Sequence, residues 1–400
     1  MKLCLTRLYS LMYISVFICF FILLFNIGNI PSGYGVILIF PVAFAAALTI
    51  LLIVHRSVSL SRSITRTMYI VLQWIRFVLM PVFICLAGEK CGVNYLHPTQ
   101  ESLEMACVLM LYELLITTCF VKFLTQKNVV QKMDNYRDVS LKGSPILYFI
   151  FLLFAVGLLF LKGKDTPVSF IVIRTDGSGL RMGDSESSIS TLIQYCLILA
   201  FMFSFLVILN YCKKKYEQQQ EIKYINIALL AAIINICLII GERRTVQVYA
   251  AVCSISMLLL CFPSHKGKIF TIVGTGALVV LVLMSVYKFL GVFKFSSYQE
   301  AIKNSDLSVE EISKLLQNYF MGPEQIAINL DFERVYTHDI SNCIYDVFRS
   351  LFPLNLLLKD RGTLSSVAFN KYIYMGEQTT GYILSSVGYG KIYFGSALSP

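Results

Sequence analysis

The sequence predicts an all-α fold, a polytopic transmembrane helix bundle of about ten spans with one long, partly helical outer loop. Three observations predict it. The chain of 400 residues is 56% hydrophobic and only 14% charged, whereas soluble domains carry about 25% charged residues. Its mean hydropathy is +0.69. A soluble fold of this size cannot hide so much apolar surface, so the bilayer becomes the solvent. Apolar stretches then recur at span length, and lysines and arginines segregate to alternate loops.

A spanning helix needs about 20 mostly apolar residues. The stretches that qualify are Leu8–Ile27, Gly35–Val54, Met68–Ala87, Leu103–Phe123, Pro145–Leu161, Thr191–Tyr211, Tyr224–Ile240, Val246–Phe262 and Phe270–Leu290. The first has a basic lead but no small-residue cleavage site after it, so it is expected to be a retained span. Residues 1–290 therefore form a nine-span bundle. Residues 291–380 form a large extracytoplasmic loop, and residues 381–400 begin a tenth span that the chain cuts short.

Orientation follows from the basic residues of the short loops. Lys2 and Arg7; Arg56, Arg62 and Arg66; Lys122, Lys127, Lys132, Arg137 and Lys142; Lys213, Lys214, Lys215 and Lys223; and Lys266 and Lys268 fall on one side. Opposite them stand Lys90, Lys162, Lys164, Arg174, Arg181, Arg243 and Arg244. The first set is more than twice the second, which puts the N-terminus in the cytoplasm. The net charge of +10 reflects this cytoplasmic bias and not a nucleic-acid partner. The twelve cysteines mostly lie in apolar runs, where they act as small apolar residues. No CxxC pair marks a zinc site or disulfide framework.

The long loop carries its own helix signals. Ser308 and Glu311 have capping-box spacing. Ile312, Leu315, Leu316, Tyr319 and Phe320 follow at helical offsets, and Gly322-Pro323 ends that helix. A second helix is expected over Ile340–Leu351, with Asp339 as N-cap and Pro353 beyond its end. Both are amphipathic and are expected to lie against the membrane or the bundle.

"LIIGERRTVQ" (Leu238–Gln247) raises the functional question. The apolar tract Tyr224–Phe262 is interrupted only by Glu242, Arg243 and Arg244. It is too long for one helix in a bilayer about 30 Å thick, so it is a hairpin with the charges at its outer tip. The plain reading is a solvated turn whose arginines snorkel to headgroups. Against that stand the positive-inside bias and the talent of arginine for binding phosphate oxygens with a planar fork. A pair of arginines there suits a lipid-linked phosphate or diphosphate. Glu242 either holds one arginine in place or serves as a base.

Other outward residues are weaker candidates. The fifth loop carries Arg174 and Arg181, which suit an anionic site, and an Asp184/Glu186 pair that is more simply solvated than metal-binding. His338 and Asp339 in "YTHDIS" can take a proton from a sugar hydroxyl, or Asp339 is merely the N-cap. Arg361 in "KDRGTLSS" and Glu377 in "MGEQTTGY" are further phosphate and carboxylate candidates. There is no Walker motif, HExxH, GxSxG or DxD. Glu113 is the exceptional acidic residue inside a span, which weakens a coupled-transporter reading.

This layout resembles the O-antigen and capsular oligosaccharide repeat-unit polymerases (Wzy-type), themselves similar in plan to O-antigen ligases. "NYFMGPEQIAINL" (Asn318–Leu330) is similar to the aromatic-x-x-Gly-Pro segment of their long loop. "GERRT" (Gly241–Thr245) resembles their Gly-x-Arg outer turn, and "GYILSSVGYGKIYFG" (Gly381–Gly395) the Gly-rich start of the following span. The resemblance implies block glycosyl transfer at the outer face of a bacterial inner membrane. Donor and acceptor would be oligosaccharides on undecaprenyl diphosphate, with no nucleotide sugar, cofactor or metal. Membrane lipids, chain-length regulator proteins and flippase proteins would be its partners. Arg243 and Arg244 would hold the diphosphate, assisted by Arg361 or Arg174. His338, Asp339, Glu377 or Glu242 would act as base. The rival readings are a ligase; a lipid-linked oligosaccharide flippase or transporter, which requires charged residues in a cavity within the spans; and a non-enzymatic membrane sensor or assembly protein, for which only the absence of strict motifs argues.

Overall fold

A computed structural model describes residues 2–53, 60–92, 96–126, 144–162, 166, 168–173, 188–241, 243–305, 308–336, 339–351, 354, 358, 362–377 and 381–399. These are helical apart from one two-stranded ribbon and connecting turns. The helices are α1 (Lys2–Phe25), α2 (Phe40–Ile53), α3 (Leu60–Trp74), α4 (Met80–Ala87), α5 (Gln100–Gln126), α6 (Pro145–Lys162), α7 (Ser188–Gln219), α8 (Ile222–Cys237) and α9 (Arg244–Cys261). There follow α10 (Lys266–Ile269), α11 (Thr275–Phe289), α12 (Tyr298–Asn304), α13 (Val309–Tyr319), α14 (Pro323–Val335), α15 (Ile340–Ser350), α16 (Ser365–Ile373) and α17 (Ser386–Phe394).

Among the described residues, six helical segments are long and apolar enough to cross a membrane: Gly35–Leu52, Arg66–Lys90, Gln100–Leu124, Ser190–Gln219, Arg244–Cys261 and Pro263–Phe289. Tyr9–Phe25, Pro145–Leu161 and Ile222–Cys237 are shorter apolar helices. The expected tenth span corresponds to α17, a helix of nine residues that ends at Gly395 with φ +75°. Its Lys391 pairs with Glu333 of α14 at 3.5 Å.

Packing groups the chain into two compact units. One compact unit joins both ends, Met1–Val129 and Asp306–Pro400; the other is Val130–Ser305.

In the first unit, Phe40, Phe44, Phe77, Met80 and Met110 are buried among α1–α5, and Ile326, Ala327 and Leu330 of α14 complete that core. The segment α14 is therefore no surface element. α13 stops at Tyr319, with Phe320 as C-cap and Met321 at φ +51°, and Gly322-Pro323 starts α14, with Pro323 in the first turn where no N–H is required. Asp331 of α14 accepts from the Thr99 amide at 3.0 Å and the Ser102 hydroxyl at 2.6 Å. A carboxylate thus caps the N-terminus of α5 from another helix. In the second unit, Ala155 of α6 packs with Ile193, Leu197 and Ala200 of α7 and with Ile240.

Candidate functional site

In the second unit the hairpin after α8 is built by a change of backbone type. The helix stops at Cys237, and Leu238–Ile240 becomes a strand paired antiparallel with Val168–Phe170. Gly241 then turns the chain with φ +75°, a left-handed conformation that glycine adopts freely. A Cβ on Gly241 would also sit 3.0 Å from Gln194 Oε1. Gln247 of α9 ties the turn together from inside. Its Nε2 donates to the Leu238 carbonyl at 2.6 Å and the Ile236 carbonyl at 3.4 Å.

The two arginines diverge. Arg243 is the exposed N-cap residue of α9 and borders a cavity of about 370 Å³ between α7 and α9. Arg244 is not part of that lining. Its Nη1 donates to Ser285 Oγ at 3.3 Å, and its guanidinium lies 5.2 Å from the Phe289 ring centroid. One arginine is committed to α11 and the other faces the cavity.

The cavity is two-natured. Phe201, Phe205 and Met257 make apolar walls, and Gln194, Tyr249 and Arg243 supply polar groups. Arg243 also stands where α9 begins, so the guanidinium and the partial positive charge of the helix start act together. The arrangement fits a ligand with an apolar body and an anionic end. Tyr298 of α12 steadies the start of the fifth loop by donating to the Ile173 carbonyl at 3.0 Å. Burial pushes its phenol up to about 12, so it stays a donor at neutral pH.

Arg174, Glu242, His338 and Arg361, with Arg181, Asp184 and Glu186, lie outside the described residues. Asp339 and Glu377 belong to the other compact unit. Asp339 occupies the N-cap position of α15, but no side-chain cap bond forms. Its Oδ2 accepts from the Ser341 hydroxyl at 2.9 Å instead. Glu377 is exposed in the turn after α16, its amide donating to the Tyr374 carbonyl at 3.0 Å.

The first unit holds a charged pair of which the sequence reveals only half. Glu113, the acid within a span, has Arg76 as partner, with Nη2 2.8 Å from Oε2. Arg76 lies on a π-turn, Ile75–Leu79, between α3 and α4, the kind of irregularity common at functional sites. The same Nη2 donates to the Met321 carbonyl at 3.2 Å, while Nε is enclosed without a partner. The readable signal is one opposite charge in each of two spans. A second buried network involves α13 and α14. Gln317 Nε2 donates to the Cys91 carbonyl at 3.0 Å and to Glu324 Oε2 at 3.3 Å. Its Oε1 accepts from the Glu324 amide at 3.1 Å. Burial first, and the Glu324 carboxylate second, push the Cys91 thiol up to about 12. Cys91 therefore stays a thiol and is no nucleophile at neutral pH.

Neither a protein-family model, nor a characterised protein, nor a solved structure matches the chain. The class rests on the fold: the six helices among the described residues that are long and apolar enough to cross a bilayer mark a helical membrane protein.

Proposed function

We propose that this protein is a membrane glycosyltransferase that polymerises undecaprenyl-diphosphate-linked oligosaccharide repeat units into surface polysaccharide. In this reading nine or ten spans cross a bacterial inner membrane, the N-terminus is cytoplasmic, and the Arg243 turn faces outward. The observation that carries the reading is the cavity with apolar walls and the Arg243 guanidinium at a helix start. That combination suits an isoprenoid diphosphate better than a free sugar or a metal ion. The hydroxyl of the acceptor's terminal sugar attacks the donor's anomeric carbon. The bond from that carbon to the diphosphate oxygen breaks, and the lipid diphosphate leaves with the electron pair. The hydroxyl proton passes to a base drawn from His338, Asp339, Glu377 and Glu242.

Much of the barrier is charge developing on the leaving diphosphate, which a fixed guanidinium at a low-dielectric border stabilises. Arg243 supplies that charge, and Arg244 holds the turn through Ser285 and Phe289. Arg361 and Arg174 are the assisting candidates.

One observation favours a transporter instead, the ionised pair Arg76–Glu113 within the spans. The pair neutralises itself and is largely enclosed, with side chains 10% and 12% exposed, so it supports the transporter reading less than an open charged cavity would.

The test is Arg243→Ala. The variant is expected to insert at wild-type level while chain lengthening falls ~10²-fold or more, as for loss of a preorganised donor to a developing anion. Arg243→Lys should recover only part, because an ammonium lacks the fork. A wild-type distribution of polymer lengths in Arg243→Ala overturns the reading. A deletion strain separates the ligase alternative: loss of a polymerase leaves single repeat units attached, and loss of a ligase leaves none.

A further inference from the structure

The two amphipathic helices of the outer segment meet different fates. On α13, Leu316 and the following Phe320 pack against the main core, and Gln317 is fully buried. Its inward face is covered by the bundle. On α15 the apolar face is open. Ile340, Ile344, Val347, Phe348 and Leu351 are each 47–52% exposed. Their spacing, i, i+4, i+7, i+8 and i+11, is one stripe along the helix.

The opposite side of α15 is fastened. Cys343 is buried. Tyr345 donates its hydroxyl to the Leu358 carbonyl at 2.8 Å and the Gly362 carbonyl at 3.0 Å. Asp346 accepts from the Ser365 amide at 3.1 Å through Oδ1 and from the Tyr389 hydroxyl at 3.1 Å through Oδ2. The stripe is therefore held outward by four hydrogen bonds and not left there by a loose helix. The acid on the helix body is turned inward, which removes negative charge from the open side.

We infer that α15 is an in-plane membrane anchor, its stripe seated in the headgroup–acyl boundary of the leaflet it meets. Two features favour the bilayer over a protein. Even at the roughly 150–250 Å² that an aromatic side chain buries, an upper bound for these mostly aliphatic residues, half of five side chains falls short of the about 800 Å² per partner that a standard protein interface buries. The same compact unit also contains the apolar segments Gly35–Leu52, Arg66–Lys90 and Gln100–Leu124, so a lipid boundary is already part of its surroundings. An amphipathic helix with a docked polar side and a free aliphatic side is the form that lies in that boundary, its apolar face about 5–10 Å deep. Through Asp346 the anchor fixes the height of Tyr389 and of the Ser365 end of α16.

The anchor is independent of the glycosyltransferase reading and is tested without activity. Trp74 is the only tryptophan, so Trp74→Phe gives a blank background in the full-length chain. Phe348→Trp and Ile344→Trp report the stripe, and Ser350→Trp reports its flank. Each monodisperse variant is placed in phosphatidylethanolamine and phosphatidylglycerol vesicles containing phosphatidylcholine brominated at a shallow or a deep chain position. The stripe tryptophans should emit blue-shifted, be quenched severalfold more by shallow than by deep bromines, and resist aqueous iodide relative to the flank. Iodide quenching equal to that of the flank puts the stripe in water and overturns the inference. Silence toward both quenchers means that protein covers it, and also overturns it. Stronger quenching by deep bromines means a crossing helix and does the same. Agreement between the two stripe variants guards against a local misfold in either.

Discussion

Arg76 and Arg243 meet opposite surroundings. In the unit formed by both ends of the chain, Arg76 sits inside a span with Glu113 at 2.8 Å and a backbone carbonyl at 3.2 Å. In the middle unit, Arg243 is exposed at a helix start beside a cavity. A guanidinium enclosed with a carboxylate has its charge consumed by the fold. One at an open border keeps its charge for a ligand. The difference shows that a charge in a membrane protein is not by itself a site; what matters is whether the fold has already answered it.

The largest expected effect breaks the comparison on the enclosed side. Arg76→Ala or Glu113→Ala strands a buried charge, which costs about 3–5 kcal/mol. Either variant should lose most of its folded, extractable protein, as read by yield and by unfolding in detergent. Arg76→Met with Glu113→Leu removes both charges and should restore much of that loss. If each single variant melts like the parent while Arg243→Ala does not, the roles assigned to the two arginines are reversed.

Next comes packing. A Cβ at Gly388 of α17 would sit 2.5 Å from the Asn329 Cβ of α14. Gly388→Ala should destabilise by about 1–3 kcal/mol through overpacking, measured as a lower unfolding midpoint. Gly241 in the middle unit meets only a side-chain amide, that of Gln194, but has φ +75°. Gly241→Ala should therefore cost ~1–2 kcal/mol in backbone strain and disturb the cavity, where Gly388→Ala leaves it alone. Equal binding of a polyprenyl phosphate by both variants would remove Gly241 from the site.

These particulars show which parts of the molecule a sequence reader can see. Each apolar stretch is matched by apolar helix, because window hydropathy sums over many residues. Arg76 escapes notice for the same reason: one charge hardly lowers the average over Met68–Ala87. Leu238–Ile240 reads as the end of a span, since a three-residue strand carries no period of its own. Its β-branched Ile239 and Ile240 are the available hint. Gly322-Pro323 reads correctly as a stop, yet proline in a first turn is equally a start, and α14 stays hidden. Of the site, the hairpin and its arginine tip are legible from charge in an apolar tract. The divergence of Arg243 and Arg244 is not, because it depends on Ser285 and Phe289, which are distant in sequence.

The smallest effect concerns two helix starts that look alike in sequence. Ser308 is expected to cap α13 and does, accepting from the Glu311 amide at 3.3 Å. Asp339 is expected to cap α15 and holds the position without the bond, its carboxylate taking the Ser341 hydroxyl. A lost side-chain cap costs about 1 kcal/mol. Ser308→Ala should therefore speed amide exchange in the first turn of α13 about fivefold, since 1 kcal/mol is roughly that factor. Asp339→Ala should change exchange in α15 by less, because only a hydroxyl contact is lost. It also leaves Asp339 as a carboxylate that the helix does not require, which keeps it among the candidate bases. Should Asp339→Ala unfold the start of α15 as strongly as Ser308→Ala unfolds that of α13, its carboxylate is structural and Asp339 leaves the candidate bases of the proposed reaction.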